Sequence, residues 1–339
     1  MLERRLGAQW LAGPGGRSPE AVVGRILAVQ AQDHRAMLLA IRPRSRGLVA
    51  SDVDRALGDR SMIVTWLNRG TLHLVSSADY PWLHALTAPR NVRANARRLG
   101  EEGVSPAQAE RGAEVIVAAL AEEGPLGRND LRERLDRAGV PTAGQALVHL
   151  IGLVGLRGQV VRGPVVDGRQ RFVLVEDWLG PQPAVDPEAA IAELTRRYLA
   201  GHGPAGPEDL AKWAGITLGQ ARAGFEAIAR ELRDRGDGLA ELATATDRPA
   251  LPPPRLLGAF DPVLHGWRSR EWLIPDDRDR GVVTTNGIFR PTILLDGRVV
   301  GTWGMAKGRV ELNPFGRLPD EAEEALGAEA EAVLAYRAG

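Results

Sequence analysis

The chain has 339 residues, of which 44% are hydrophobic and 25% charged, and its 43 basic and 43 acidic side chains cancel to zero net charge. That length exceeds one ordinary core and predicts two to four small domains of a soluble protein, while the neutral balance gives no support to nonspecific nucleic-acid binding. Cysteine is absent, which excludes disulfides, thiolate zinc sites, iron–sulfur ligation and cysteine nucleophiles.

The amino terminus, Met1-Leu2-Glu3-Arg4-Arg5, has no apolar core of a signal peptide, and no run of about 18 apolar residues follows; a cytoplasmic protein without membrane contact is expected. Six histidines show no paired metal-ligand spacing, so neither a metal nor a cofactor is expected. Apolar residues at Val22, Val23, Ile26, Leu27 and Val29 predict a helix packing one face inward. Gln30 and Gln32 close that stretch. On a continuing helix they would diverge by about 200°, so they converge on one small molecule only if the helix ends or bends between them. Two readings are open on the local sequence: amides that cap backbone groups or face solvent, and amides that form a site.

Helical segments over 19 to 30, 33 to 40 and 51 to 57 lead into Met62–Leu67 and Thr71–Val75, which bracket the turn Asn68-Arg69-Gly70. Three helices and a hairpin make a winged helix, with Arg69 at the wing tip, over residues 1–100. Arg90, Arg93 and Arg97 then fall along one side of a predicted helix, a stripe that suits either a phosphate backbone or a solvated face.

An internal repeat follows. Gly124-Pro125-Leu126-Gly127-Arg128-Asn129-Asp130-Leu131 recurs as Gly203-Pro204-Ala205-Gly206-Pro207-Glu208-Asp209-Leu210, and Thr142-Ala143-Gly144-Gln145-Ala146 echoes Thr217-Leu218-Gly219-Gln220-Ala221. Each copy follows a periodic helix, Ala107 to Ala121 or Pro187 to Leu199, and predicts a helix-turn-helix unit. The first copy continues into a hairpin turning at Asp167-Gly168, giving a second winged helix over 101–180. The second copy, over 181–250, ends on a weaker strand from Leu239 to Thr244. Beyond the linker Leu251-Pro252-Pro253-Pro254, turns at Asn286-Gly287 and Asp296-Gly297 and a strong hairpin over Thr292–Trp303 predict a small barrel or curled sheet over 251–339, with a helix from Pro319 to Ala338 packed over it. The predicted class is α+β: three tandem winged-helix domains followed by a small C-terminal β-barrel.

Gln30-Ala31-Gln32, the stretch Trp66–Val75, Phe260-Asp261-Pro262 and Asp296–Trp303, in that order, resemble the AlkZ/YcaQ winged-helix DNA glycosylases. The resemblance runs from about residue 18 to 310. The two-glutamine form is similar to the AlkZ branch; the YcaQ branch has Gln-x-Asp there, and Asp33 lies one residue too far to take that aspartate's role. The resemblance implies a monofunctional glycosylase that hydrolyses the N-glycosidic bond of alkylated purines in double-stranded DNA, N7-alkylguanine especially, bulky adducts and interstrand crosslinks included. It makes Gln30 and Gln32 the candidate catalytic pair, and no obligatory protein partner is inferred. Arg69 and His73 in the first wing, the stripe Arg90, Arg93 and Arg97, and Arg162 and Arg169 on the second wing are candidate DNA contacts. Lys212 and Lys307, the two lysines, read as solvated or packing residues rather than lyase nucleophiles. Winged helices alone also suit a noncatalytic transcription regulator or a lesion sensor.

Overall fold

The five identities shared by the repeat copies, Gly, Pro, Gly, Asp and Leu, each have a physical role in the computed structural model, which describes residues 1–245, 250–275 and 278–339, and Asp234 by its backbone alone. The first glycine and the proline stop a helix: Gly124 (φ +77) donates its N–H to Leu120 O, and Gly203 donates to Leu199 O. In each copy the second glycine begins the next helix and the aspartate three residues on accepts its backbone N–H, Gly127 to Asp130 at 2.8 Å and Gly206 to Asp209 at 3.2 Å. Leu131 and Leu210 are fully buried beneath those helices. Between the glycines, Leu126 pairs through both backbone hydrogen bonds with Phe172, and Ala205 with Ala240, so each copy is tied to its own hairpin.

The chain packs as two compact units, residues 54–190 with 214–216, and residues 1–53, 191–213 and 217–339. In the first of these, the hairpin strands β1 (Met62–Leu67) and β2 (Thr71–Ser76) turn through Asn68, Arg69 and Gly70, all at positive φ. Strands β3 (Val160–Val166) and β4 (Arg169–Leu174) turn at Asp167 (φ +51) and Gly168 (φ +69), the dihedral signs of the tight turn the sequence predicts. β1 pairs antiparallel with β3 through Val64 and Arg162. The nearly all-apolar helix Ala146–Leu156 lies on this sheet, and Gly155 is obligatory because a Cβ there would meet the Trp66 ring at 2.3 Å. Helices Tyr80–Thr87, Pro89–Glu101, Pro106–Glu123, Arg128–Arg137 and Val175–Leu179 belong to the same unit.

In the other unit, strands β5 (Arg255–Leu257), β6 (Thr292–Leu295), β7 (Arg298–Ala306) and β8 (Arg309–Pro314) run antiparallel in that order. Asp296 (φ +49) and Gly297 (φ +75) make the β6–β7 turn, and a bulge between Val299 and Gly301 bends the sheet. Among the described residues these strands remain an open sheet and do not close into a ring. The helix Asp320–Ala338 covers it as expected, closing a core of Leu256, Ile293, Trp303, Leu318, Leu326 and Val333 that also takes Leu39. Glu329 on that helix is buried, pairing with Arg42 and accepting Leu256 N–H at 3.1 Å. The second repeat copy contributes helices Pro207–Ala214 and Leu218–Ala227 and two short paired strands, Leu232–Asp234 and Ala240–Leu242. An N-terminal helix, Leu2–Ala8, was not expected from the sequence; Arg5 anchors it by donating to Pro204 O at 2.9 Å and lying 4.9 Å over the Trp267 ring. No helix among the described residues is long and apolar enough to cross a membrane.

His202 is fully buried within this unit, stacked on Tyr198 at 4.7 Å and flanked by Trp213 and Trp267. Burial disfavours the imidazolium and pushes its pKa down from 6.5 to about 3. Between those values the unfolded chain binds a proton that the folded chain does not, so stability should fall as the pH drops through this window. Calorimetric Tm followed from pH 7 downward should show that loss, and His202→Phe should flatten it.

Candidate active site

The helix that leads to the glutamine pair is set by Ser18, whose hydroxyl accepts Ala21 N–H at 3.2 Å, and by Pro19 in its first turn. It spans Pro19–Ile26 and stops four residues earlier than the sequence predicts. The terminator is Leu27, at φ +68, donating its N–H to Val23 O at 2.7 Å. A leucine is a poor residue for left-handed backbone; here complete burial of its side chain holds the conformation in place of the usual glycine. The chain therefore leaves the helix as a two-residue extended segment, Val29–Gln30, followed by a bend at Gln32, and the helical divergence of residues two apart no longer holds. Asp33 then caps the next helix, His34–Ile41, accepting Arg35 N–H at 2.8 Å and Ala36 N–H at 3.1 Å.

The two amides meet. Gln30 Nε2 donates to Gln32 Oε1 at 2.5 Å, with Gln30 buried (8% exposed) and Gln32 exposed. Gln30 is thus held from behind while Gln32 faces outward, and Gln30 Oε1 with the second lone pair of Gln32 Oε1 remain as neutral acceptors. Such a pair can hold and orient a water, and two carbonyl dipoles favour positive charge in front of them, but neither amide takes up a proton near neutral pH. A cleft of about 440 Å³ lined by Arg4, Trp10, Arg25 and Glu241 lies elsewhere in the same unit and includes neither glutamine.

The candidate DNA contacts singled out in the sequence lie in the other unit and separate by exposure, while Lys212 and Lys307 belong to the unit of the glutamines. Arg90, Arg93 and Arg97 are exposed along one face of Pro89–Glu101, with Arg97 3.7 Å from Glu101. Arg69 is exposed at the first wing tip, where residue 215 must be glycine because a Cβ would come within 2.7 Å of Arg69 N. Arg169 is exposed just beyond the Asp167-Gly168 turn. His73, by contrast, is buried (2% exposed) with Nδ1 2.9 Å from Thr71 O. Arg162 is half-buried, its guanidinium 5.1 Å from the Phe172 ring and 5.8 Å from that of Trp66. Burial, with Arg128 nearby, lowers its pKa to about 10, so it stays charged at neutral pH. Lys212 is exposed and donates to Arg268 O at 3.3 Å; Lys307 is exposed on a turn. No group of three histidine or carboxylate side chains among the described residues is placed to hold a metal.

What sequence reasoning missed is the scaffold behind the glutamines. Arg44 and Asp261, both without solvent exposure, form a two-pronged pair at 2.7 and 2.8 Å. Arg44 also donates to Ala40 O at 2.8 Å and Gln9 Oε1 at 2.9 Å, fixing the C-terminal end of the helix that follows Gln32. The motif Phe260-Asp261-Pro262 was visible, but nothing local shows that its aspartate reaches back 217 residues.

A family model described as DNA glycosylase AlkZ-like matches residues 23–336. The chain belongs to the AlkZ-like DNA glycosylase family. It is 27% identical to an interstrand DNA cross-link repair glycosylase of Streptomyces sahachiroi, over 94% of this chain and 92% of that protein. The solved structure of the Streptomyces sahachiroi DNA glycosylase AlkZ matches with a TM-score of 0.80 at 26% identity, covering 99% of this chain and 96% of that one. As an AlkZ-like glycosylase the protein is an enzyme, a hydrolase acting on DNA, and the noncatalytic regulator and sensor readings give way. In this AlkZ-like glycosylase Asp33 works as a helix cap. Asp33→Ala should therefore cost about 1 kcal/mol of stability, measured by urea unfolding.

Proposed function

We propose that the chain is a monofunctional glycosylase that hydrolyses the N-glycosidic bond of an alkylated purine in duplex DNA, above all N7-alkylguanine. Bulky adducts and interstrand crosslinks belong to the proposed range, since the Streptomyces sahachiroi relative is named for cross-link repair. The observation that carries this reading is the Gln30–Gln32 amide pair, one member buried and one exposed, joined at 2.5 Å.

An N7-alkylguanine carries positive charge, so breaking C1′–N9 sends the bonding electrons into the purine and neutralises it. Positive charge moves to the sugar, which gains oxocarbenium character as the base leaves. The amide oxygens of Gln30 and Gln32 stabilise that charge and hold the water whose oxygen bonds to C1′. The water's proton passes to solvent, since neither amide accepts it, and the products are the free alkylpurine and an abasic site. No cofactor enters, and no lysine amine is assigned a lyase step.

We read residues 1–100, 101–180 and 181–250 as winged helices and 251–339 as a barrel-type module opened at one edge, a reading supported by the repeated plan of helices and hairpin. Exposed Arg69, Arg90, Arg93, Arg97 and Arg169 are proposed to bind backbone phosphates. Buried His73 and half-buried Arg162 are proposed to act at the DNA surface by shaping the two wings. Duplex DNA is the one partner this requires, and a cytoplasmic location follows from it.

Single-turnover incubation with a duplex containing N7-methylguanine, followed by alkaline cleavage of abasic sites, tests the assignment. Gln30→Ala and Gln32→Ala should each slow release on the order of a hundredfold with Tm retained; unchanged rates sink the catalytic role. Because the pair does not titrate and the lesion is already cationic, the wild-type rate should be flat from about pH 6 to 8. A bell-shaped profile there would point to a titrating acid or base instead.

A further inference from the structure

Phe260 occupies a backbone conformation that its side chain disfavours. Residues 258–261 form a turn closed by Asp261 N–H to Gly258 O at 3.3 Å, and Phe260, its third residue, sits at φ +55. That position in a type II turn is the one that favours glycine or asparagine; for a bulky residue it is strained. Glycine would serve the turn and the Asp261 anchor equally well. The aromatic side chain is therefore retained against a local cost, and a packing role does not account for it fully, because the ring is only half-buried.

The surroundings show what the ring is set up to meet. Phe260 lies 5.9 Å from Phe289, which in turn lies 5.6 Å from His265, making a half-exposed aromatic cluster. His265 Nε2 is 3.0 Å from Phe260 O and braces the turn from behind. Arg270 covers Phe289 at 5.3 Å, and its charge is offset by Asp279 at 3.3 Å. The turn is also indexed to the glutamines. Gly258 lies so close to the helix His34–Ile41 that a Cβ would come 2.8 Å from Leu39 Cβ and 3.2 Å from Ala36 O. Gln32 lies two residues before the start of that helix.

We propose that Phe260, backed by Phe289 and His265, is a stacking platform for the cationic purine of the substrate. The face of an aromatic ring attracts positive charge, so the platform binds an N7-alkylpurine better than the neutral parent base and contributes to lesion choice. It deepens the glycosylase reading and rests on it.

The test uses the full chain and two duplexes carrying a 2′-fluoro sugar that resists cleavage, one with N7-methylguanine and one with guanine, alongside the cleavable lesion. Phe260→Gly should leave Tm unchanged or raised, because the strain is relieved. It should also shrink the wild-type affinity ratio between the two duplexes, and slow release of the lesion, on the order of tenfold. Phe260→Tyr should keep both properties. A lowered Tm with the affinity ratio intact would make Phe260 a packing residue and overturn the platform. So would a Phe260→Gly enzyme that releases and discriminates as wild type does. Absence of release by the wild type would overturn the catalytic reading beneath it, and the platform with it.

Discussion

A guanidinium and a carboxylate with no access to water, Arg44 and Asp261, fix the geometry on which the site depends. Both charges are costly to desolvate, and the pair is tolerable only because nearly every polar atom is engaged. Arg44 reaches Ala40 O and Gln9, and Asp261 accepts Val263 N–H at 3.0 Å as the cap of the helix Pro262–His265. One contact thereby joins the N-terminal helix, the helix that follows the glutamines and the turn that carries Phe260. A purely apolar contact of the same size would be less directional. The two-pronged pair sets orientation as well as distance, which the proposed site of two amides would require.

The proposed substrate arrives charged, and a pair of neutral amides would suit its chemistry. A carboxylate beside a cationic purine would strengthen binding of the ground state as well as of the transition state, whereas a neutral dipole favours charge only where its oxygen points. Gln30 shows how that direction is held: it is buried, and it donates to Gln32. The arginines divide in a similar way. Those on the helix Pro89–Glu101 stand in solvent, while Arg162 lies against two rings.

How much of this was legible in the sequence follows from the range of each interaction. Asp167-Gly168 and Asp296-Gly297 announce their turns because positive φ is a local demand that those residues meet at low cost. The repeat announces itself because its Gly-x-x-Asp cap closes within one helical turn. The early stop at Leu27 is illegible, since a leucine at φ +68 is held by burial and not by its own preference. The same holds for His73 and Arg162: their residue types suggest DNA contacts, but tertiary packing decides that one is buried and the other half-buried. The sheet of the C-terminal segment was legible strand by strand, whereas closure depends on edge strands meeting across the module, which no local pattern encodes.

The discontinuous unit that holds the glutamines also has a consequence in time. Its first 53 residues leave the ribosome long before residue 191. Arg44 must wait for Asp261, 217 residues later, which at about 5–20 residues per second is roughly 10–40 s with a cation destined for the interior left unpaired. During that interval residues 54–190 form a continuous stretch with their own sheet and helices and can fold first. Assembly of the unit that holds the glutamines is thus among the last events of synthesis, and a nascent chain cut short before its final quarter carries both glutamines without the frame around Arg44 and Asp261.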